Sequence, residues 1–167
     1  PNHWHSVLWP REDGELTAFL RWLTNTHTMR WHAHDHTQGT GHLYQNRFKA
    51  FPVQEDEHFY AAIRDVERNA FRANLSARPE EWRWSSLWRR TCGDSAAKAL
   101  LADWPLPIPR TWCEIVAQPQ TEAEREAIRH AVRRGCPFGS ESWQKNTAVR
   151  LGLESTLRAR GGSWTAQ

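Results

Sequence analysis

A stripe of apolar residues between positions 59 and 70 constrains the fold of this chain more than any other feature. The stripe has the spacing i, i+3, i+4, i+7 and i+11 of one helix face, and its members are Phe59, Ala62, Ile63, Val66 and Ala70. It predicts a helix that begins near Asp56 and packs on a core. Asp65 and Asn69 lie four residues apart on the flank of that face, and Arg72 follows on the same side.

The segment 3–9 alternates like a β-strand and places His3 and His5 on one face. Side chains at i and i+2 of a strand project in the same direction, so both imidazoles can reach one bound ion. An exposed or hydrogen-bonded pair is the alternative, because such a triplet arises easily in a chain with 9 histidines. The pattern alone leaves the metal site open.

Two further elements are predicted in the first third of the chain. Residues 15–32 carry apolar residues at helical spacing, with Asp13 as the expected N-cap. Residues 42–53 alternate as a second strand with one polar, basic face. Its Arg47 and Lys49 are interleaved with aromatic residues, which suits contact with single-stranded nucleic acid, although an ordinary amphipathic edge strand has the same pattern.

The C-terminal part is predicted to be helical and basic. Thr121 and Glu124 have the spacing of a capping box, and residues 142–151 are expected to form a second helix before the turn at Gly152. Residues 125–167 hold eight Lys or Arg against three Glu. Such a segment can contact phosphates, but a solvated helix face would also carry these charges.

Composition excludes several classes of protein. A chain of 167 residues has the size of one domain with an appendage, and 11 tryptophans predict a tryptophan-rich core. No apolar run approaches the length of a membrane span, and no leader is recognised, so a cytoplasmic protein is expected. Three widely spaced cysteines argue against a disulfide framework and a zinc ribbon.

Four motifs, in this order, resemble those of the REP-associated tyrosine transposases, which are single-strand HUH transposases of bacteria. They are PNHWH at 1–5, GHLYQNRFK at 41–49, ERNAFRA at 67–73 and WRWSS at 82–86. The resemblance covers residues 1–90 closely and the remainder more loosely. It implies an α+β fold, an incomplete ferredoxin-like domain with an antiparallel sheet and helices on one face, followed by a helical basic extension.

The resemblance also implies a chemistry. His3, His5 and Asn69 would bind a divalent ion, Mg²⁺ or Mn²⁺, that polarises the scissile phosphate of single-stranded or hairpin DNA. A tyrosine four residues before Asn69 would attack and form a 5′-phosphotyrosine. The expected DNA-contacting residues are Arg47, Lys49, Arg72, Arg133, Arg134, Arg150, Arg158 and Arg160.

This chain departs from the family pattern at the nucleophile, because Asp65 stands where the tyrosine is expected. An acyl phosphate formed by Asp65 would be labile, so strand transfer is expected to be impaired. Tyr60 is nine residues from Asn69, about 180° around a helix, and would point away from the site. Tyr44 is expected to be a packing residue.

The sequence therefore predicts three segments along the chain, and it leaves three functions open. A transposase-like domain would span 1–103, without the family's first strand-helix-strand unit, followed by a Pro-rich linker at 104–110 and the basic extension at 111–167. The first function is a transposase-like protein with impaired cleavage and rejoining. The alternatives are an inactive DNA-binding protein and a metal-dependent nuclease that uses water, with Asp65 as a ligand or base. A homodimer is left open.

Overall fold

The computed structural model describes residues 3–158, which divide into two compact units, 3–48 and 49–158. The first unit contains the helix α1, Glu15–His34. The second contains the helices α2 to α8 and a short 3-10 helix at Pro79–Glu81. The bounds in the second unit are α2 Glu57–Arg72, α3 Ser86–Thr91, α4 Ser95–Lys98, α5 Trp112–Ala117, α6 Glu122–Arg134, α7 Glu141–Leu151 and α8 Glu154–Leu157.

The predicted α+β class, with an antiparallel ferredoxin-like sheet, is wrong. Between residues 3 and 158 the regular elements are helical, and the β-type pairing is limited to one parallel bridge between Val53 and Phe138. A strand is stable only when its backbone N–H and C=O groups pair with a neighbouring strand. The segments 3–9 and 42–52 alternate in sequence but form no such ladder, and both are irregular.

The predicted helix in the first unit is confirmed, but its start differs from the prediction. The N-cap is Gly14, whose φ of 83° lies in the left-handed region that glycine tolerates, and Asp13 does not cap the helix. Leu20 is the only buried residue of α1. Tyr44 is held in this unit by two hydrogen bonds, since its hydroxyl accepts from Trp4 Nε1 at 3.3 Å and lies 2.6 Å from His27 Nδ1.

Helix α2 is confirmed and organises the second unit. The Asp56 side chain caps it by accepting a hydrogen bond from the backbone N–H of His58 at 2.9 Å. The α2 face contributes to two buried clusters at once. The first is Phe59, Ile63, Leu87, Trp112 and Val116, and the second is Ala62, Ile128, Ala131, Cys136 and Phe138.

Among residues 3–158, two tryptophans contribute to the buried clusters. Trp112 is buried in the first cluster, and Trp104, from the proline-rich segment 104–110, packs against it with ring centroids 5.1 Å apart. Edge-to-face contact at this distance is a favourable arrangement of aromatic rings. Other tryptophans are exposed, namely Trp4, Trp9, Trp22, Trp31 and Trp84.

The segment between α6 and α7 forms hydrogen bonds with the residues just before α2. Gln54 N donates to Phe138 O at 2.9 Å, and Phe138 N donates to Pro52 O at 2.8 Å. The Gln54 side-chain oxygen also accepts from the backbone N–H of Ser140 at 2.8 Å. The capping box of Thr121 and Glu124 at the start of α6 is confirmed.

Gly139 lies close to the side chains of Gln54 and Trp143. We therefore expect Gly139→Ala to destabilise the second unit. An added Cβ would come within 2.5 Å of Trp143 Cε3 and 2.6 Å of the Gln54 side-chain oxygen. Overpacking of this kind costs about 1–3 kcal/mol. Urea unfolding followed by circular dichroism measures the loss, and Ser142→Ala, on the exposed start of α7, is the control. Equal midpoints for the two variants would contradict the close approach.

Candidate functional site on helix α2

The polar row predicted on α2 contains an ion pair. Arg72 Nη1 donates to Asp65 Oδ1 at 2.7 Å, and the Asp65 side chain is only 16% exposed. A carboxylate oxygen that accepts a charge-assisted hydrogen bond from a guanidinium group is engaged by that contact and is not presented for attack on phosphorus. Arg72, which was predicted to contact DNA, makes this contact with Asp65 in the structure.

Asn69 lies one turn beyond Asp65 and is half-buried. Its backbone oxygen accepts from Ala73 N at 3.0 Å, while its side-chain amide has no hydrogen-bond partner among residues 3–158. An amide oxygen in this state is available to a ligand. The structure therefore leaves the predicted third ligand accessible on α2.

Two arginines on the same helix have structural partners. Arg64 Nη2 donates to the carbonyl oxygens of Gln118 and Pro119, each at 2.9 Å, and Arg68 Nη1 donates to Val116 O at 2.8 Å. These bonds satisfy carbonyl groups at and beyond the C-terminal end of α5 and hold it against α2. Burial lowers the pKa of the Arg68 guanidinium, and the charges of Arg64 and Arg72 lower it further.

Glu67 was missed by the sequence analysis and is the most enclosed polar side chain of α2. Its residue is 1% exposed, although it lies in the ERNAFRA motif. Trp112 Nε1 donates to one carboxylate oxygen at 2.7 Å, and the Ser86 hydroxyl and the Arg90 guanidinium donate to the other. The carboxylate thus links α2, α3 and α5, and its role is structural.

Both tyrosines of the chain have their hydroxyl groups engaged. Tyr60 donates to Pro107 O at 2.7 Å, and its ring packs against Phe59, Trp104 and Trp112. Tyr44 is bonded to Trp4 and His27 as described above. Neither hydroxyl is presented as a free nucleophile.

The predicted histidine ligands lie in the first unit, whereas Asp65 and Asn69 lie in the second. The rings of His3 and His5 are exposed and edge-on, with centroids 5.1 Å apart. The two imidazoles are therefore neighbours within the first unit.

A second group of metal-ligand side chains lies at the start of α2. Asp56, Glu57 and His58 bring one ligand atom each within 4.8 Å of one another, and this group could hold a metal ion. The nearest contact is His58 Nδ1 to Asp56 Oδ1, at 2.8 Å. Sequence reasoning used Asp56 only as a helix start, although the adjacent Asp, Glu and His were a visible signal.

The predicted DNA-contacting residues fall into two sets. Arg133 pairs with Glu126 on α6, and Arg134 donates to the carbonyl oxygens of Ser155, Thr156 and Arg158. The second set is exposed and forms no side-chain hydrogen bond or ion pair within residues 3–158, and it comprises Arg47, Lys49, Arg150 and Arg158. Arg160 lies outside the described residues.

The chain was compared with known proteins in three ways. No protein-family model, no curated protein and no solved structure matches it. Within residues 3–158, none of the helices combines the length and apolar character that crossing a bilayer requires.

Proposed function

We propose that this chain binds single-stranded or hairpin DNA and does not carry out tyrosine-dependent strand transfer. The observation that carries the proposal is the ion pair between Asp65 and Arg72 at the position of the family's nucleophile. The hydroxyl groups of both tyrosines are engaged in hydrogen bonds, Tyr44 with His27 and Tyr60 with Pro107 O, so neither is presented for attack on a DNA phosphate.

Exposed cations and rings support the DNA-binding part of the proposal. Arg47, Lys49 and Arg150 extend into solvent without an acidic partner among the described residues, so each can contact a phosphate. Trp84 is 70% exposed, and the Arg83 guanidinium lies 5.4 Å from its ring centroid. An exposed ring beside a cation suits stacking on an unpaired base.

The metal that the resemblance implies is Mg²⁺ or Mn²⁺, and in the first unit His3 and His5 are the residues that would hold it. In this proposal the ion would neutralise backbone phosphate charge in bound DNA. Hydrolysis by metal-activated water is the competing function. It draws support from the accessible Asn69 amide, but a base at Asp65 would first have to leave Arg72.

A binding and cleavage assay on one labelled hairpin tests the proposal. We expect saturable binding that weakens with salt, since each neutralised phosphate releases counterions. We expect no cleaved product in Mn²⁺ or Mg²⁺. Cleavage without a covalent protein–DNA species would support the water-dependent nuclease, and a covalent species would overturn the assignment of Asp65. Absence of binding at low salt would overturn the proposal as a whole.

Arg150→Ala is expected to weaken binding and to reduce the salt dependence. Removing one phosphate contact lowers the slope of log K against log salt by about one, without a change in sequence preference. Fluorescence anisotropy at several salt concentrations measures the slope. Lys98→Ala removes another exposed cation of the second unit that was not predicted to contact DNA, and it serves as the control. Equal slopes for the two variants would exclude Arg150 from the interface.

A further inference from the structure

The first unit leaves most of its large apolar side chains exposed. Among residues 3–48, Leu20 is the only buried apolar residue. The large apolar side chains of the same range that are more than a third exposed are Trp4, Val7, Leu8, Trp9, Phe19, Trp22, Met29, Trp31 and Phe48. Burial of apolar area drives association as well as folding, so a unit of this kind gains stability when a partner covers such a surface.

Helix α1 has apolar residues on two faces. Leu20 is buried and Leu23 half-buried within the unit. Phe19, Trp22 and Met29 form a second stripe about 120° around the helix, and their exposed fractions are 40%, 62% and 73%. The rings of Phe19 and Trp22 are neighbours, with centroids 6.2 Å apart. The stripe presents roughly 300–400 Å² of surface, which is the size of patch that marks an interaction site.

The exposed stripe has the spacing of a helix-pairing seam. Its positions follow one another at steps of four and three residues, and they are Glu15, Phe19, Trp22, Thr26, Met29 and Ala33. In an antiparallel pair centred on position 24, residues whose numbers add up to 48 face each other. Trp22 then faces Thr26 of the second copy and Phe19 faces its Met29, so a large side chain meets a small one and a ring meets a thioether. A parallel pair would instead place two Trp22 side chains in one layer.

The charges of α1 favour the same antiparallel arrangement. Glu12, Asp13 and Glu15 lie at the start of the helix, whereas Arg30 lies near its end, is exposed and has no ion pair within residues 3–158. In the antiparallel pair Arg30 of the second copy lies opposite position 18, less than one turn from Glu15. The two helix macrodipoles also oppose each other in this arrangement. A parallel pair would bring the two Arg30 side chains together.

We propose that this stripe is the interface of a homodimer, in which α1 pairs antiparallel with α1 of a second copy about a two-fold axis at position 24. Each copy contributes the same surface, as a two-fold interface requires. The stripe supplies about half of the ~800 Å² per partner that a standard interface buries, and polar residues along the ~30 Å helix flank it. The dimer is therefore expected to dissociate on dilution. The proposal does not depend on DNA binding.

Sedimentation velocity of the full chain without DNA, over a range of protein concentrations, measures the monomer–dimer equilibrium. We expect a concentration-dependent dimer that Trp22→Ser weakens at least about tenfold, since a tryptophan near the centre of an interface is commonly a hot spot. The matched control is Trp84→Ser, which removes a tryptophan of similar exposure from the second unit and should dimerise like the parent. Both side chains are exposed, so both variants should fold, and circular dichroism checks this.

Carbodiimide cross-linking tests the antiparallel arrangement. No lysine precedes Lys49 in the sequence, so Arg30→Lys introduces a single side-chain amine on α1 and keeps the charge. Within one helix, Glu15 and position 30 are about 22 Å apart, so an amide between them has to join two copies. We expect mass spectrometry to find this amide in the cross-linked dimer.

Four results would overturn the proposal. The first is a chain that stays monomeric at all concentrations, and the second is a Trp22→Ser variant that dimerises as tightly as the parent. The third is a dimer of the Arg30→Lys variant that forms without the amide to Glu15. The fourth is a monomer in which Trp22→Ser weakens hairpin binding, which would assign the stripe to stacking on DNA bases.

Discussion

Replacing Glu67 with alanine is expected to lower the free energy of unfolding of the second unit by about 3–5 kcal/mol. The Glu67 side chain is fully enclosed and accepts hydrogen bonds from Ser86, Arg90 and Trp112. Removing the carboxylate leaves the partly buried Arg90 guanidinium without its counter-ion and the Trp112 N–H without its acceptor. Breaking one side of a buried pair costs more than the intact pair contributes.

Urea unfolding followed by circular dichroism measures this effect, and two variants control for it. Glu67→Gln keeps an acceptor for Trp112 but removes the charge, so its loss should be smaller than that of Glu67→Ala. Glu114→Ala removes a carboxylate from the exposed surface of α5 and should change stability by less than about 0.5 kcal/mol. If Glu67→Ala unfolds at the same midpoint as Glu114→Ala, the carboxylate does not link the three helices.

The position of Glu67 could have been suspected from the sequence. It follows Ile63 by four residues and precedes Ala70 by three, so it falls on the apolar face of α2 rather than on its flank. A charged residue at such a position needs buried partners. The partners could not be predicted, because Ser86, Arg90 and Trp112 come from other helices and their distances depend on tertiary packing.

Helices were predicted well because their signal is local. The periodic stripe of α2, its cap at Asp56 and the capping box at Thr121 each depend on residues within a few positions of one another. Strands depend on a partner that the local pattern does not contain. The alternation of residues 3–9 and 42–53 was therefore real, but it did not produce a sheet in the described chain.

The basic surface was the least predictable part of the candidate site. The charge count between 125 and 167 was compatible with a phosphate-contacting surface and with a solvated helix face, and several arginines of α6 pair with glutamates of the same helix. The pairs join Arg125 and Arg129 to Glu122, and Arg133 to Glu126. Net charge does not distinguish a paired from an unpaired cation. Only the structure shows that Arg150 has no ion-pair partner among the described residues, whereas these arginines are paired.

Asp65→Tyr is expected to produce metal-dependent cleavage of a hairpin DNA that the parent chain binds without cleaving. The substitution places a phenol four residues before Asn69, where the resemblance puts the family's nucleophile. It also frees Arg72, whose guanidinium would then lie beside the attacking oxygen and could stabilise charge on the phosphate. The product would be a 5′-phosphotyrosine, detected as a labelled band that migrates with the protein.

Two controls separate this outcome from a general gain of reactivity. Asp65→Phe introduces a ring of similar size without a hydroxyl and should bind the hairpin but form no covalent band. Combining Asp65→Tyr with His3→Ala and His5→Ala should abolish the band, because the resemblance assigns the metal to those histidines. A covalent band in the parent would show that Asp65 does not block the reaction. If Asp65→Tyr binds the hairpin in Mn²⁺ and forms no band, loss of the tyrosine is not what separates this chain from an active transposase.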